Sequence, residues 1–92
     1  MVVLAPVTRE RIRFVSHSGV RATVLANLSG ATRTPTEIAR LENKHVSHVC
    51  RTISELKARG LVEVAWTESH QKHYKTTMSG YALFLAISKQ TK

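Results

Sequence analysis

Two helix signals stand back to back between Thr34 and Gly60, with little more than Asn43 and Lys44 to turn the chain between them. No other stretch restricts the fold as much. Thr34-Pro35-Thr36-Glu37 is a helix start: Thr34 can cap the first turn, and Glu37 can reach back to the Thr34 N–H. Pro35 falls at the first helical position, where a missing N–H costs nothing. Ile38 and Leu41 then give one apolar stripe on a helix over about 35–42. A second helix is expected from His45 to Arg59. Gly60 suits the left-handed position just past its end, and Leu61 can pack back on it.

Along this second helix Val46, Val49, Ile53 and Leu56 share one face at helical spacing. Steps of about 100° per residue put Lys44, Ser47, His48, Arg51 and Glu55 opposite. Cys50 and Thr52 fall on the flanks. From His45 to Ser54 there is no carboxylate. Ordinary solvated faces mix Glu and Lys freely, whereas this helix shows His, Ser and Arg in its N-terminal half. In a helix-turn-helix that half enters the major groove of DNA. The plain alternative is a polar side that merely meets water.

Three segments carry a resemblance: Thr34-Pro35-Thr36-Glu37-Ile38-Ala39, Ser47-His48-Val49-Cys50-Arg51-Thr52-Ile53, and Leu56-Lys57-Ala58-Arg59-Gly60-Leu61-Val62. Together they resemble the winged helix-turn-helix transcriptional regulators, most nearly the small archaeal and MarR/ArsR-like branch. The resemblance covers roughly 20–86. Cys50 stands where Ser is common and Ile53 where Leu is common, and the turn Glu42-Asn43-Lys44 lacks the frequent Gly. What it implies is a mainly α fold with a small antiparallel β-sheet (α+β), a winged helix-turn-helix. It also implies sequence-specific binding of double-stranded DNA to regulate transcription, with the helix over 45–59 in the major groove and a wing over about 67–75 on the backbone.

Ninety-two residues allow one small domain, spanning 1–92, which buries about two-thirds of its unfolded surface and gains from sharing a core in a dimer. Lys and Arg number 14 against 6 acids, a net charge of +8, which favours a polyanion partner over an anionic membrane. The single cysteine cannot form an intrachain disulfide, which fits a cytoplasmic chain. No apolar run approaches a membrane span. Residues 1–7 read as a flexible arm, too short and without the basic lead of a secretion signal.

Thr8 to Ser16 can be helical, capped by Thr8, with Ile12 and Val15 on one side. Arg9, Arg11 and Arg13 cluster there, either near phosphate or simply solvated. Val20 to Leu28 reads as a helix with Val20, Val24, Leu25 and Leu28 inward, ended by Ser29-Gly30. Ala31 to Arg33 should be a short extended piece, which in the resembled folds often pairs with the wing. After Gly60, Leu61 to Thr67 is a strand with Leu61, Val62, Val64 and Trp66 apolar. Glu68 to Lys72 is the turn, and His73 to Thr77 returns with Tyr74 inward. Thr77-Met78-Ser79-Gly80-Tyr81 resembles the start of the family's last helix. Over 78–92, Leu83, Phe84, Leu85 and Ile87 are too many apolar groups for one narrow stripe. Phe84 and Ile87 should face the domain, leaving Leu83 or Leu85 for a twofold interface.

Five histidines and one cysteine invite a metal, but there is no Cys-x-x-Cys, and no carboxylate sits among the histidines, so neither metal nor cofactor is expected. Cys50 is expected as a buried structural thiol. No phosphate loop, nucleophile elbow or paired carboxylate site marks an enzyme, and no small-molecule ligand is evident. Ser47, His48 and Arg51 are the candidates for base edges. Thr36, Lys44, Thr52, Lys72 and Lys75 are the candidates for phosphates. His45, His70 and His73 can hydrogen-bond to DNA. The competing readings are a winged-helix adaptor that docks proteins in a larger assembly, and a chromatin-like DNA binder without sequence preference.

Overall fold

Thr8, Ser18, Thr34 and Thr77 each stand at the start of a helix, where the side-chain hydroxyl accepts from the first turn. The computed structural model describes residues 8–90, so the arm expected over 1–7 and the last two residues of the 78–92 segment lie outside it. The order is α1 (Arg9–Ser16), α2 (Gly19–Gly30), α3 (Pro35–Glu42), α4 (Val46–Ala58), β1 (Val62–Glu68), β2 (Gln71–Thr76) and α5 (Met78–Gln90). Thr8 accepts from the Arg11 N–H at 3.2 Å, and Ser18 from the Arg21 N–H at 3.3 Å. Thr34 makes the full capping box: its hydroxyl accepts from the Glu37 N–H at 3.2 Å, and Glu37 accepts from the Thr34 N–H at 2.8 Å. Such caps each contribute about 1 kcal/mol.

Both helices of the central pair end in a left-handed residue. Asn43, at φ 54°, does for α3 what a glycine does elsewhere, and the Lys44 N–H donates back to the Ala39 carbonyl at 2.9 Å. Asn tolerates this region because its short polar side chain strains little there. Gly60, at φ 72°, ends α4 in the same way, with its N–H on the Lys57 carbonyl and the Leu61 N–H on the Leu56 carbonyl at 3.0 Å. Leu56 and Leu61 are both fully buried, the apolar contact that accompanies this motif.

The middle of the molecule is α2, which packs on α1, α4, α5 and β2. Its Val24, Leu25 and Leu28 join Val15, Ile38, Ala39, Val49, Ile53, Leu56, Leu61, Val62 and Leu83 in one core. Burying a Leu or Val side chain fully is worth about 1.5–3 kcal/mol, so this cluster outweighs any single cap. Leu41, expected on the inner stripe of α3, is exposed, and Ala39 is buried in its place.

Strands β1 and β2 form an antiparallel hairpin that pairs Val62 with Thr76 at one end and Glu68 with Gln71 at the other. Ser69 and His70 make the turn with φ of 50° and 67°, a two-residue reversal whose twist matches the strands. The strands therefore run closer to the tip than expected. Arg33 adds a one-residue third strand: its N–H and carbonyl exchange bonds with Tyr74 at 3.1 and 2.8 Å. Between Val64 and Trp66 the register shifts by one residue. The bulge turns Trp66 away from the Val64–Tyr74 face and onto the other, where it stacks on His73 with ring centroids 4.9 Å apart.

The last helix is set by Gly80. A Cβ there would overlap the Leu61 carbonyl oxygen, and the carbonyl carbon would lie 2.9 Å away. Thr77 completes the junction: its hydroxyl donates to the Gly60 carbonyl at 2.6 Å and accepts from the Gly80 N–H at 3.0 Å. With Gly80 against the chain, the inward stripe becomes Gly80, Leu83, Phe84 and Ile87. Leu83, expected as an interface residue, is 1% exposed and belongs to the core. Leu85 remains outside with Met78 and Tyr81, at 41% exposure. We expect Gly80→Ala to destabilise by about 2–4 kcal/mol in urea unfolding, because backbone must move. Gly19→Ala, with open space around it, should be neutral or slightly stabilising. Equal effects of the two would remove Gly80 from this role.

Candidate nucleic-acid interface

The candidate surface is built on the front of α4. Val49, Thr52, Ile53 and Leu56 hold the helix to the core by one side. Every residue from Asn43 to His48 is exposed, as are Cys50, Arg51 and Ser54. The turn and the first two turns of α4 thus present Lys44, His45, Ser47, His48 and Arg51 together, with no carboxylate among them. Thr36 is exposed near the start of α3. His45 sits at the cap position of α4 without a side-chain hydrogen bond to the helix; its carbonyl accepts from the His48 N–H at 3.1 Å, so the Val46 and Ser47 amides are the ones open to an outside acceptor.

Three expectations about α4 need correction. Thr52 is 3% exposed, and its hydroxyl donates to the His48 carbonyl at 3.0 Å, so it is a satisfied core residue and cannot hold a phosphate. Val46, assigned by spacing to the buried face, is 42% exposed, because α4 projects beyond the core at its N-terminus. Cys50 is exposed rather than buried. It follows Val49 by one helical step, which turns it off the buried stripe of Val49, Thr52, Ile53 and Leu56. Sequence spacing found the polar residues of this surface but missed Val46, whose apolar side chain carried the wrong signal.

The wing residues are spread over two faces of the hairpin. His70 is exposed at the turn and Lys72 beside it. Lys75 is exposed but sits across from Glu63. Lys72 and Lys75 are three residues apart, so they point to opposite faces and cannot both follow one phosphate strand. His73 is half-buried under Trp66, with its Nε2 3.9 Å from the Glu68 carboxylate. Trp66, 50% exposed, was not expected on this surface; the bulge that places it left no mark in the sequence. Tyr74 faces the core, and burial raises its phenol pKa.

Two carboxylates brace the frame. The Thr34 amide holds Glu37 below the usual carboxylate range. The Arg21 guanidinium, at 3.1 Å, does the same for Glu55 and ties α2 to the outer side of α4. Among the described residues no group of three metal-ligating side chains converges. No described helix is long and apolar enough to cross a membrane.

No protein-family profile and no curated protein matches this sequence. Solved structures do match its shape. A homodimeric winged helix-turn-helix DNA-binding domain from Mycobacterium bovis, a possible ArsR-family transcriptional regulator, superposes with a TM-score of 0.75 at 22% identity, over 88% of this chain and 75% of that one. The fold is a winged helix-turn-helix. MepR, a transcription regulator of the Staphylococcus aureus multidrug efflux pump MepA, superposes with a TM-score of 0.75 at 17% identity, over 88% of this chain. This chain spans 62% of that MepR structure. MepR in complex with DNA matches equally well, at a TM-score of 0.75 and 16% identity, over 87% of this chain and 68% of that one.

Glu37 and Glu55 both sit below their ordinary value in the folded chain, so their contribution is present above the carboxylate range and is lost as pH falls through it. Thermal midpoints followed from neutral to acid pH should fall less steeply in Glu37→Gln and in Glu55→Gln than in the parent. Parallel acid limbs in all three would show that these carboxylates do not couple to folding.

Proposed function

We propose that this chain binds double-stranded DNA sequence-specifically and regulates transcription as a homodimer. The observation that carries this reading is the exposed, carboxylate-free front of α4, with Lys44, His45, Ser47, His48 and Arg51 displayed over a helix whose other side is buried. In this reading the N-terminal half of α4 enters the major groove. Arg51 can make a bidentate pair with guanine, Ser47 and His48 reach neighbouring base edges, and Val46 meets a thymine methyl. Thr36, Lys44 and His45 hold phosphates and set the register, helped by the Val46 and Ser47 amides at the start of α4. At the wing, His70 and Lys72 approach the backbone, while Lys75 and His73 lie further from it.

The +8 charge supplies the long-range attraction. That MepR binds DNA with the same fold supports the assignment of the reading helix. The dimer would form on the outer stripe of α5. Met78, Tyr81 and Leu85 line an apolar groove of about 410 Å³ with Thr76, Thr77 and Ala82. The Mycobacterium bovis domain is homodimeric, and a second copy of this chain is the natural cover for a stripe of this kind.

Selection from random duplex DNA should return a preferred motif, and the preference should weaken steeply with salt. Arg51→Ala should then lose about 5–150-fold in discrimination between the motif and a scrambled duplex. Equal binding of motif and scramble by the parent would make the protein a general DNA binder. No binding at low salt would favour the adaptor reading.

Leu85→Glu should convert a dimer to a monomer in sedimentation equilibrium without unfolding it. A parent that sediments as a monomer, or a variant that stays dimeric, would rule out this interface.

A further inference from the structure

A second concentration of positive charge lies at the other end of α4. Arg9, Arg13 and His17 from the α1 region, Arg21 from α2 and Arg59 just past α4 surround Phe14 in an open cleft of about 670 Å³. Glu10 is the one carboxylate on its rim. The guanidinium carbons of Arg21 and Arg59 lie 4.1 and 3.9 Å from the centre of the Phe14 ring. Arg21 is held in place by the Glu55 carboxylate and by the Phe14 carbonyl, each at 3.1 Å. Arg59 has a weaker tie, 3.6 Å from exposed Glu10. Arg9 and Arg13 have no ion-pair partner among the described residues, although like charges four residues apart on a helix repel.

Four guanidiniums around a shared ring, with only Glu55 on Arg21 and Glu10 near Arg59 to offset them, form a positive well that a multiply charged anion would relieve. Guanidinium forks match phosphate oxygens two at a time, and orientation on an aromatic face lowers the entropy lost on binding. The cleft is concave, and α4 separates it from Val46 by about 20 Å at 1.5 Å per residue. It is therefore a poor continuation of the track across the front of α4. We propose that this cleft binds a small phosphate-bearing anion of the pyrophosphate class, either inorganic or carried on a nucleotide. The anion's oxygens accept from the guanidinium N–H groups of Arg9, Arg13 and Arg59, and the anion displaces Glu10 from Arg59.

The test is an NMR titration at constant ionic strength with inorganic pyrophosphate and, separately, with ATP. It reads the side-chain N–H signals of Arg21 and Arg59 and the ring signals of Phe14. Saturable shifts at these residues, within a set confined to the cleft, are expected. Removing both charges in Arg9→Gln/Arg13→Gln should weaken binding about tenfold or more, and Glu10→Gln should tighten it. Arg40→Gln, on exposed α3 surface, should leave it unchanged. ATP binding tighter than pyrophosphate, with larger Phe14 shifts, would mark a nucleotide as the source; equal affinity would mark the inorganic group. The proposal is overturned if no saturable shift occurs, if the Arg9/Arg13 variant binds like the parent, or if Glu10→Gln weakens binding. It is also overturned if a short duplex saturates the same signals in an Arg51→Ala background, which would make the cleft part of a nucleic-acid track. Circular dichroism confirms that each variant is folded. A negative outcome here leaves the front of α4 untouched, so the two assignments fail separately.

Discussion

The junction between Gly60-Leu61 and Thr77-Gly80 holds the architecture together. Leaving α4, the chain turns through a left-handed glycine, runs out and back as the hairpin, and returns to the point where it left. Thr77 links the two ends of that excursion: its N–H donates to the Leu61 carbonyl at 3.0 Å, and its hydroxyl to the Gly60 carbonyl. Gly80 lets α5 come close enough for this to happen. A Cβ at that position would push the last helix off the core, and with it Leu83. The wing depends on the same contact, since β1 begins and β2 ends beside it.

The junction also divides α5 into two stripes. Gly80, Leu83, Phe84 and Ile87 turn inward, while Met78, Tyr81 and Leu85 turn out. A comparable division governs α4. There the core takes Val49, Thr52, Ile53 and Leu56 and leaves its first two turns projecting. The projection is what makes a surface out of residues that would otherwise flank a packed helix. Thr52 shows how a polar residue can sit in such a core: its hydroxyl is satisfied by the helix's own backbone, so burial leaves nothing unpaired. Two groups of cationic residues lie at opposite ends of α4. Those near its N-terminus come from consecutive sequence. The arginines near its C-terminus come from three separate segments.

The distinction explains which features could be read in advance. The capping box at Thr34, the end of α4 at Gly60 and the helix start at Thr77 are local. Each depends on hydrogen bonds or φ angles within a few residues, so the sequence pattern and its structural consequence coincide. The polar front of α4 was legible for the same reason, because helical period alone assigns opposite faces. Asn43 fills the left-handed position without the glycine that is frequent in the resembled turn. Errors arose where the period gave a direction but not an extent. Val46 continues the inner stripe on a helical wheel, yet the core stops before reaching it.

By itself the sequence determined the order of the elements, the two helices around the turn, the hairpin, the strongly basic charge and the absence of acid along the front of α4. These follow from spacing, capping chemistry and composition. Only the tertiary structure decided whether Leu83 or Leu85 faced the core, since both fit a helix and the choice came from the close approach of Gly80 to Leu61. It also decided that Thr52 is buried and Cys50 exposed, that the bulge carries Trp66 onto His73, and that Arg9, Arg13, Arg21 and Arg59 meet around Phe14. The physical reason is common to all of them. Local chemistry sets the direction of each side chain from its own backbone, but what it meets there depends on where distant segments of the chain come to rest.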